Sequence, residues 1–317
     1  MPSALVRPTT REISDASCDK EWDRVSGDPA TTTFKLVARL HQVRWREARG
    51  LPMGTEPIDD TGGRPVGSRI PLAYARQTNA SFLDPRVVEA VRHRLGNPQP
   101  HELLDEKRLY ANLLSSMPMC FNLFGTITDP ESATRALRIW WPDTPGKVAR
   151  VIFEWSPGRC DPAYLGNKTS FDVAFLLDLG GGKHGVLAVE TKYHEHPKAI
   201  GIKPAHVNRY REVTAASKVF TDTDLDALMR DEASQLWLDH LLALAMLQHP
   251  SRAWHWARFI TVYPDANPSW PRASARYRAL LRDDRTFGTS TFDELVDCDA
   301  LEPAVREALV ARYRCWD

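Results

Sequence analysis

The sequence predicts an α/β protein in which a central mixed β-sheet is flanked by α-helices. Three short segments near the middle of the chain are rich in β-branched and aromatic residues, as strands are: 148–155, 171–179 and 185–193. Segments in which apolar residues recur at helical spacing precede and follow them. Helices, then strands, then helices again are typical of the α/β class.

Before the strands, the chain has a polar start, a stretch rich in Gly and Pro, and several helical segments. The first 30 or so residues are rich in Ser, Thr, Pro and Asp, and we expect a tail there. Residues 50–69 are dense in Gly and Pro and are expected to form a loop or linker. Apolar periodicity predicts helices over 33–49, 85–95, 102–116 and 130–141.

The second and third predicted strands are separated only by Gly-Gly-Gly-Lys-His at 180–184, so we expect an antiparallel hairpin. These glycines lack the spacing of a phosphate-binding loop and indicate a turn. Beyond the hairpin, a long helix is predicted over 225–248, a strand over 258–263, and helices over 273–282, 291–296 and 303–313. We therefore divide the chain into an N-terminal extension and linker (1–69), a core (70–265) and a helical C-terminal part packed on the core (266–317).

Composition and charge indicate an ordinary soluble protein. Lys plus Arg equals Asp plus Glu at 41 each, which neither supports nor excludes a polyanionic partner, because phosphates respond to the local potential. The five cysteines are scattered and contain no C-x-x-C pair, as expected for a reducing cytoplasm. The N-terminus lacks the apolar core of a signal peptide, and the longest apolar run, 241–247, is too short to span a bilayer. We expect a cytoplasmic protein without a membrane partner.

Three residues of the predicted hairpin form the candidate site. Side chains two positions apart on a strand share a face, so Glu190 and Lys192 project together and Thr191 points the other way. Folding the hairpin about a turn near residue 182 or 183 places Asp172 beside residues 190–193. Two carboxylates can hold Mg²⁺, and a nearby lysine can orient or activate the attacking water in phosphodiester cleavage. The spacing thus indicates metal-dependent hydrolysis.

At these residues the chain resembles the PD-(D/E)xK nuclease superfamily, the fold of many restriction endonucleases and RecB-type nuclease domains. Phe171-Asp172 precedes Glu190-Thr191-Lys192, with Phe in place of the motif's Pro. The resemblance covers about residues 100–265 and implies a restriction-endonuclease-like core with a catalytic hairpin. It implies that Asp172 and Glu190 bind Mg²⁺ or Mn²⁺ and that Lys192 positions the water. It also implies a nucleic-acid substrate, which we expect to be DNA, and a restriction or defence role; a homodimer stays open.

Three further residues are candidates for this site. Many members of the superfamily have an acidic residue on a helix before the hairpin, and Glu106 matches that position, with Glu102 as a substitute. Glu154, on the strand before Asp172, is a rival for the third metal-binding carboxylate. RecB-like members carry a catalytic Gln on a later helix, commonly as Q-x-x-x-Y. Gln235 matches the Gln, but Asp239 stands where the Tyr would be.

Each of these three residues also has a purely structural interpretation. Glu106 would be a solvated helix residue, Glu154 a salt-bridge partner, and Gln235 a residue that caps or bridges helices. For the whole protein, the alternatives are a catalytically silent nuclease fold that binds nucleic acid or a partner protein, a nuclease acting on RNA or a non-nuclease hydrolase, and a structural module. His194 and His196 are expected to lie on a surface loop, because Pro197 follows and no third metal ligand is evident.

Overall fold

The computed structural model describes residues 5–18, 28–58, 62–222 and 224–316. The strands are β1 (Gly54–Glu56), β2 (Arg64–Val66), β3 (Lys147–Trp155), β4 (Phe171–Asp178), β5 (His184–Thr191), β6 (Trp254–Tyr263) and β7 (Phe287–Thr291). The helices are α1 (Thr10–Asp15), α2 (Pro29–Ala48), α3 (Leu72–Thr78), α4 (Pro85–Gly96), α5 (Glu106–Ala111), α6 (Ser116–Phe124), α7 (Pro130–Trp140), α8 (Pro204–Ser217), α9 (Leu225–Leu228), α10 (Ser234–Leu247), α11 (Ser269–Arg278), α12 (Phe292–Val296) and α13 (Pro303–Tyr313). Of the predicted N-terminal tail, residues 1–4 and 19–27 lie outside the described residues.

The main sheet has five strands in the order β3-β4-β5-β6-β7. Strands β3, β4 and β5 are antiparallel neighbours, whereas β5, β6 and β7 run parallel. Parallel neighbours need a crossover connection, which α8 to α10 provide between β5 and β6 and α11 provides between β6 and β7. The α/β class, the mixed sheet and the β4–β5 hairpin predicted from the sequence are confirmed.

The turn between β4 and β5 sets the register of the hairpin. Gly180, Gly181 and Gly182 have φ angles of 80°, 61° and 73°, a left-handed run that residues with a Cβ adopt only at a cost. The turn closes with Lys183 N–H donating to the carbonyl of Gly180 at 3.1 Å. The register that follows pairs Val173 with Val189, which places Asp172 across from Glu190.

Helices cover both faces of the sheet. On one face, Phe121 of α6 stacks on Phe153 of β3 with ring centroids 4.2 Å apart, and Phe124 meets Phe175 of β4 edge to face at 5.7 Å. On the other face, α10 lies against β5 and β6, and twelve of its fourteen residues are buried. Because β4 and β5 occupy the middle of this three-layer arrangement, polar groups at their ends are removed from water.

The N-terminal half differs from the prediction in two places. Residues 50–69, expected to be a loop, contain the β1–β2 hairpin. The helix expected over 102–116 is split into α5 and α6, because backbone groups between them bond to the segment after β2. Leu113 N–H donates to Ser68 O, and Ile70 N–H donates to Ala111 O, both at 3.1 Å. These bonds replace the next helical turn, and α6 restarts at Ser115, whose hydroxyl accepts Met117 N–H at 3.2 Å.

The part of the chain after the hairpin also differs from the prediction. The long helix expected over 225–248 is interrupted between α9 and α10, where the carboxylate of Asp231 accepts the N–H of Ala233 at 2.7 Å. Helix α8 was not predicted. Strand β7 was not predicted either, and the C-terminal part is therefore not purely helical. Five residues, one of them a glycine, carry too little periodicity to indicate a strand, and pairing with β6 decides their conformation.

The two ends of the described chain meet. In α2, Gln42 Nε2 donates to the carbonyl of Arg312 in α13 at 2.6 Å. Phe34 of α2 lies with its ring centroid 6.1 Å from that of Trp316. Phe34 and Trp316 belong to the same hydrophobic cluster as Val173 of β4. The division at residues 69 and 265 remains a prediction. Within the described ranges, we find no helix with the length and apolar character that a bilayer crossing requires.

Candidate active site

Asp172 is held at the end of the hairpin by Thr191 of the neighbouring strand. One carboxylate oxygen, Oδ2, accepts the backbone N–H of Thr191 at 2.7 Å and its hydroxyl at 2.6 Å. Two short hydrogen bonds to a carboxylate restrict its rotation. Because both use Oδ2, the second oxygen of Asp172 remains available for another ligand.

Glu190 and Lys192 meet on the α10 face of the sheet, as strand parity predicts. Lys192 Nζ donates to Glu190 Oε1 at 2.6 Å, and both side chains are about nine-tenths buried, with 8% and 10% of their surface exposed. Gln235, at the start of α10, donates its amide to the same oxygen at 3.1 Å. The ring of Trp270 lies 5.5 Å from the ammonium of Lys192. The structure thus brings three of the sequence-predicted residues into direct contact.

Glu154 joins the group from β3. Its neighbours Phe153 and Trp155 pair with Val173 and Phe171, so Glu154 lies beside Asp172 across the sheet. Its φ angle of 46° is in the left-handed region, which is uncommon for a residue with a Cβ. Two guanidinium groups secure its backbone, since the carbonyl accepts Arg159 Nη2 at 2.9 Å and Arg94 Nη2 at 3.3 Å.

Burial and crowding of like charges dominate the electrostatics of this group. Burial, together with the charge of Asp172, raises the pKa of Glu190 to about 7 and that of Glu154 to about 8. Burial also raises the pKa of Asp172, although Lys192 and Thr191 oppose the shift. For Lys192, burial lowers the pKa, but the surrounding carboxylates outweigh it and the pKa lies above its ordinary value. Lys192 is therefore an ammonium ion, and it balances only part of the negative charge of the carboxylates around it.

Comparison with known proteins places this geometry in a family. The model of the PD-(D/E)XK nuclease superfamily matches residues 28–315, nine-tenths of the chain. The chain belongs to the PD-(D/E)XK nuclease superfamily. The match extends beyond the 100–265 segment in which the sequence motifs lie, and it takes in both α2 and α13. No curated protein and no solved structure matches the chain.

Within this PD-(D/E)XK fold, sequence reasoning did not assign Asp239 to the site. It noted Asp239 only as a departure from the Q-x-x-x-Y pattern. Asp239 lies one helical turn after Gln235 and is 6% exposed, and its Oδ2 has no hydrogen-bond partner among the described residues. Burial and the charge of Glu190 raise the pKa of Asp239 well above its usual range. The spacing of four residues from Gln235 was the available signal, because residues i and i+4 share a helix face.

Glu106 is not brought to this group. It begins α5, where its carboxylate pairs with Arg76 at 2.9 Å, and both side chains are about half exposed. Within the part of the chain that the structure describes, no contact joins it to Asp172 or Glu190. Its substitute Glu102 is engaged elsewhere, because it pairs with the buried guanidinium of Arg94 and accepts the N–H of Gln99 at 2.7 Å.

The segment after β5 is anchored by polar contacts. His194 Nδ1 lies 2.9 Å from the carbonyl of Leu114, and His196 Nδ1 lies 2.7 Å from Lys35 Nζ, so the two imidazoles have different partners. Between them, Glu195 accepts the backbone N–H of Tyr193 at 2.8 Å and that of Ser116 at 3.3 Å. These contacts tie the end of the β4–β5 hairpin to the start of α6.

The carboxylates fit a hard divalent cation. Among the described residues, no three His, Cys, Asp or Glu side chains converge as a ready-made ligand set. Mg²⁺ does not require one, because it commonly takes one or two carboxylates and fills its other positions with water and phosphate oxygens. Asp172 and Glu190 each have one oxygen outside the hydrogen bonds described above. A dication there would also offset the crowded negative charge that adds to the effect of burial in raising the pKa of Glu154 and Glu190.

Proposed function

We propose that the protein is a Mg²⁺- or Mn²⁺-dependent nuclease that hydrolyses phosphodiester bonds in DNA. The observation that carries the proposal is the convergence of Asp172, Glu190 and Lys192 at the buried end of the hairpin, where the lysine is held as an ammonium ion. Membership of the superfamily supports a nuclease in general. The ion, the DNA substrate and the roles of individual residues are our proposal.

Asp172 and Glu190 would hold the ion through the carboxylate oxygens that do not accept the hydrogen bonds described above. When bound, the ion supplies positive charge at the scissile phosphate and lowers the pKa of a bound water. Lys192 stays protonated, so it acts as a hydrogen-bond donor that orients the water and stabilises the negative charge developing on phosphate. Gln235 keeps the carboxylate of Glu190 in place by holding Oε1.

Glu154 is the better candidate for a third carboxylate at the ion. Burial and the neighbouring carboxylates raise its pKa to about 8 and so favour its protonated form, whereas a dication nearby would favour its ionised form. Glu106 would first have to leave its ion pair with Arg76, and the chain between α5 and the hairpin would have to move.

The approach of a nucleic acid is supported by a cleft of about 610 Å³ beside α11. Arg272 and Arg276 line the cleft with side chains that are more than half exposed. Trp270, on the same helix, contacts Lys192. Exposed arginines near the reacting groups can contact backbone phosphates. The five cysteines are free thiols, which suits a cytoplasmic restriction or defence nuclease.

The test is cleavage of plasmid DNA by Asp172→Ala and Lys192→Ala variants. We expect each to lose Mg²⁺-dependent cleavage by at least about 100-fold, because Asp172→Ala removes a ligand of the ion and Lys192→Ala removes the ammonium that stabilises negative charge in the transition state. Thermal unfolding measured by circular dichroism checks that the variants fold. Lys183→Ala, in the exposed hairpin turn, is the matched control and should cut like the parent. If the two site variants cut as well as the parent, the assignment is wrong.

Parallel assays separate the remaining alternatives. An RNA substrate of the same sequence distinguishes a ribonuclease from a deoxyribonuclease. A parent protein that binds Mn²⁺ but cuts neither substrate would be a catalytically silent member of the fold. Cutting both strands of a duplex with one site per chain requires two copies or two encounters, and we propose a homodimer. Analytical ultracentrifugation with and without DNA measures the oligomeric state.

A further inference from the structure

Asp239 is a buried carboxylate in a helix that is otherwise well satisfied. On the same helix, Trp237 Nε1 donates to Thr214 Oγ1 at 3.3 Å. His240 lies 2.9 Å from both the hydroxyl of Tyr277 and that of Thr286. These contacts pin α10, so Asp239 cannot turn towards solvent without moving its neighbours. A buried carboxylate oxygen without a partner is unfavourable, and each such group in a folded protein calls for an explanation.

The charges around Asp239 are those of the catalytic group. Glu190, Lys192 and Asp172 all act on its carboxyl group, and Lys192 is the only cation among the three. Conversely, Asp239 is one of the three carboxylates that favour the charged form of Lys192. The ammonium has three N–H donors, and the hydrogen bond to Glu190 uses one of them. Gln235, one turn earlier on the same face of α10, donates to the Glu190 oxygen that also accepts the Lys192 ammonium. The carboxyl group of Asp239, which the hydrogen bonds described for the site do not use, can therefore serve as a second counter-charge for Lys192.

A divalent cation on Asp172 and Glu190 changes this balance. It takes up the negative charge of both carboxylates and repels the ammonium beside them. A buried ammonium without a counter-charge is strongly unfavourable. Lys192 would therefore either leave its position or weaken the binding of the cation. We infer that Asp239 is a positioning residue, the counter-ion that holds the ammonium of Lys192 in place when a divalent cation occupies Asp172 and Glu190. The inference rests on the proposed function, because it presupposes that cation.

The test is a double-mutant cycle read out by Mn²⁺ affinity, measured by calorimetry without substrate. The four proteins are the parent, Asp239→Asn, Lys192→Met and the double variant. We expect Asp239→Asn to weaken Mn²⁺ binding by about 10- to 100-fold in the parent, and by less than roughly threefold in the Lys192→Met background, where no ammonium needs a counter-charge. Asp239→Glu should recover most of the affinity, and Asp226→Asn, at an exposed ion pair with Arg211, is the matched control.

Each other outcome contradicts the inference. Equal losses in both backgrounds would mean that Asp239 acts on the metal itself, and an unchanged affinity of Asp239→Asn would mean that Lys192 does not depend on it. A parent that binds no Mn²⁺ would overturn the proposed function as well, whereas a parent that binds Mn²⁺ and cuts DNA confines the failure to Asp239. Thermal unfolding checks each variant, and Lys192→Gln and Asp239→Ser replace any that does not fold.

Discussion

Lys192 illustrates how this protein keeps a charge in its interior. Its ammonium is surrounded by carboxylates, and the hydrogen bond to Glu190 at 2.6 Å gives it a fixed direction. Burial alone would favour the neutral amine, so the charged form depends on the acidic neighbours. Burial and the mutual repulsion of these neighbours raise the pKa values of Glu190 and Glu154. A second cation beside these carboxylates, as in the proposed function, would relieve their repulsion.

His240 provides a prediction about pH at the residue scale. Burial lowers the pKa of His240 from 6.5 to about 3, because the imidazole has no room for a hydrated charge. Between these two pKa values the imidazole is protonated in the unfolded chain and neutral in the folded protein. Stability should therefore fall as the pH decreases from about 6.5 towards 3, with a limiting contribution of about 1.4 kcal/mol per pH unit.

The measurement is the free energy of unfolding of the parent and of His240→Gln, by urea denaturation between pH 4 and pH 7.5. The variant should show a shallower decrease than the parent, because it lacks the titrating imidazole. His255→Gln, at an exposed position of β6, should keep the slope of the parent. Equal slopes in parent and His240→Gln would contradict the assignment.

At the scale of elements, the end of the β4–β5 hairpin is joined to helices from both ends of the chain. Gln42 of α2 donates to the hydroxyl of Tyr193 at 2.8 Å as well as to the carbonyl of Arg312. Tyr193 directly follows Lys192 of the candidate site, and its ring packs edge to face on Tyr313 of α13 at 5.3 Å. The position of the candidate site therefore depends on helices that are distant in sequence.

Replacement of Gln42 with Leu tests this connection. The change leaves the Tyr193 hydroxyl and the Arg312 carbonyl buried without their donor, which should destabilise the protein by about 1–3 kcal/mol. Chemical denaturation measures the difference. Gln77→Leu, on the exposed face of α3, is the matched control and should change stability by less than about 0.5 kcal/mol. A Gln42 variant as stable as the parent would show that this junction contributes little.

At the scale of the whole molecule, the segments that flank the predicted core contribute to its interior. Helix α2 buries eleven of its twenty residues, and Phe34 and Trp45 lie in the same cluster as strand residues of the sheet. Trp316, near the other end of the chain, belongs to it too. The family match from residue 28 to 315 takes in both flanking segments, in agreement with a fold that includes them.

We therefore expect that a chain beginning at residue 70 does not fold cooperatively. Loss of α2 would expose the apolar face of α13 that packs on it and would remove the contact of Gln42 with Tyr193 at the hairpin end. A chain beginning at residue 28 retains α2 and should unfold in one cooperative transition. Calorimetry and NMR spectra of the backbone amides, recorded for the two chains, show whether each folds cooperatively. A cooperatively folded 70–317 chain would contradict this view of the core.

Much of the fold and the central part of the site could be predicted from the sequence, because they depend on local chemistry. Three glycines between two apolar segments determine a tight turn, and alternation along a strand places Glu190 and Lys192 on one face. The turn then brings Asp172 across from them. Strand type and hairpin register are properties of some twenty consecutive residues, so no distant contact was needed to infer them.

Only the tertiary structure decided which other residues join that group. Gln235 and Asp239 reach it because α10 packs on β5, Glu154 because β3 pairs with β4, and Glu106 is directed instead to Arg76. The break between α5 and α6 and the edge strand β7 likewise depend on backbone partners far along the chain. Local propensity is weak compared with such hydrogen bonds and burial, which exist only after distant segments have met.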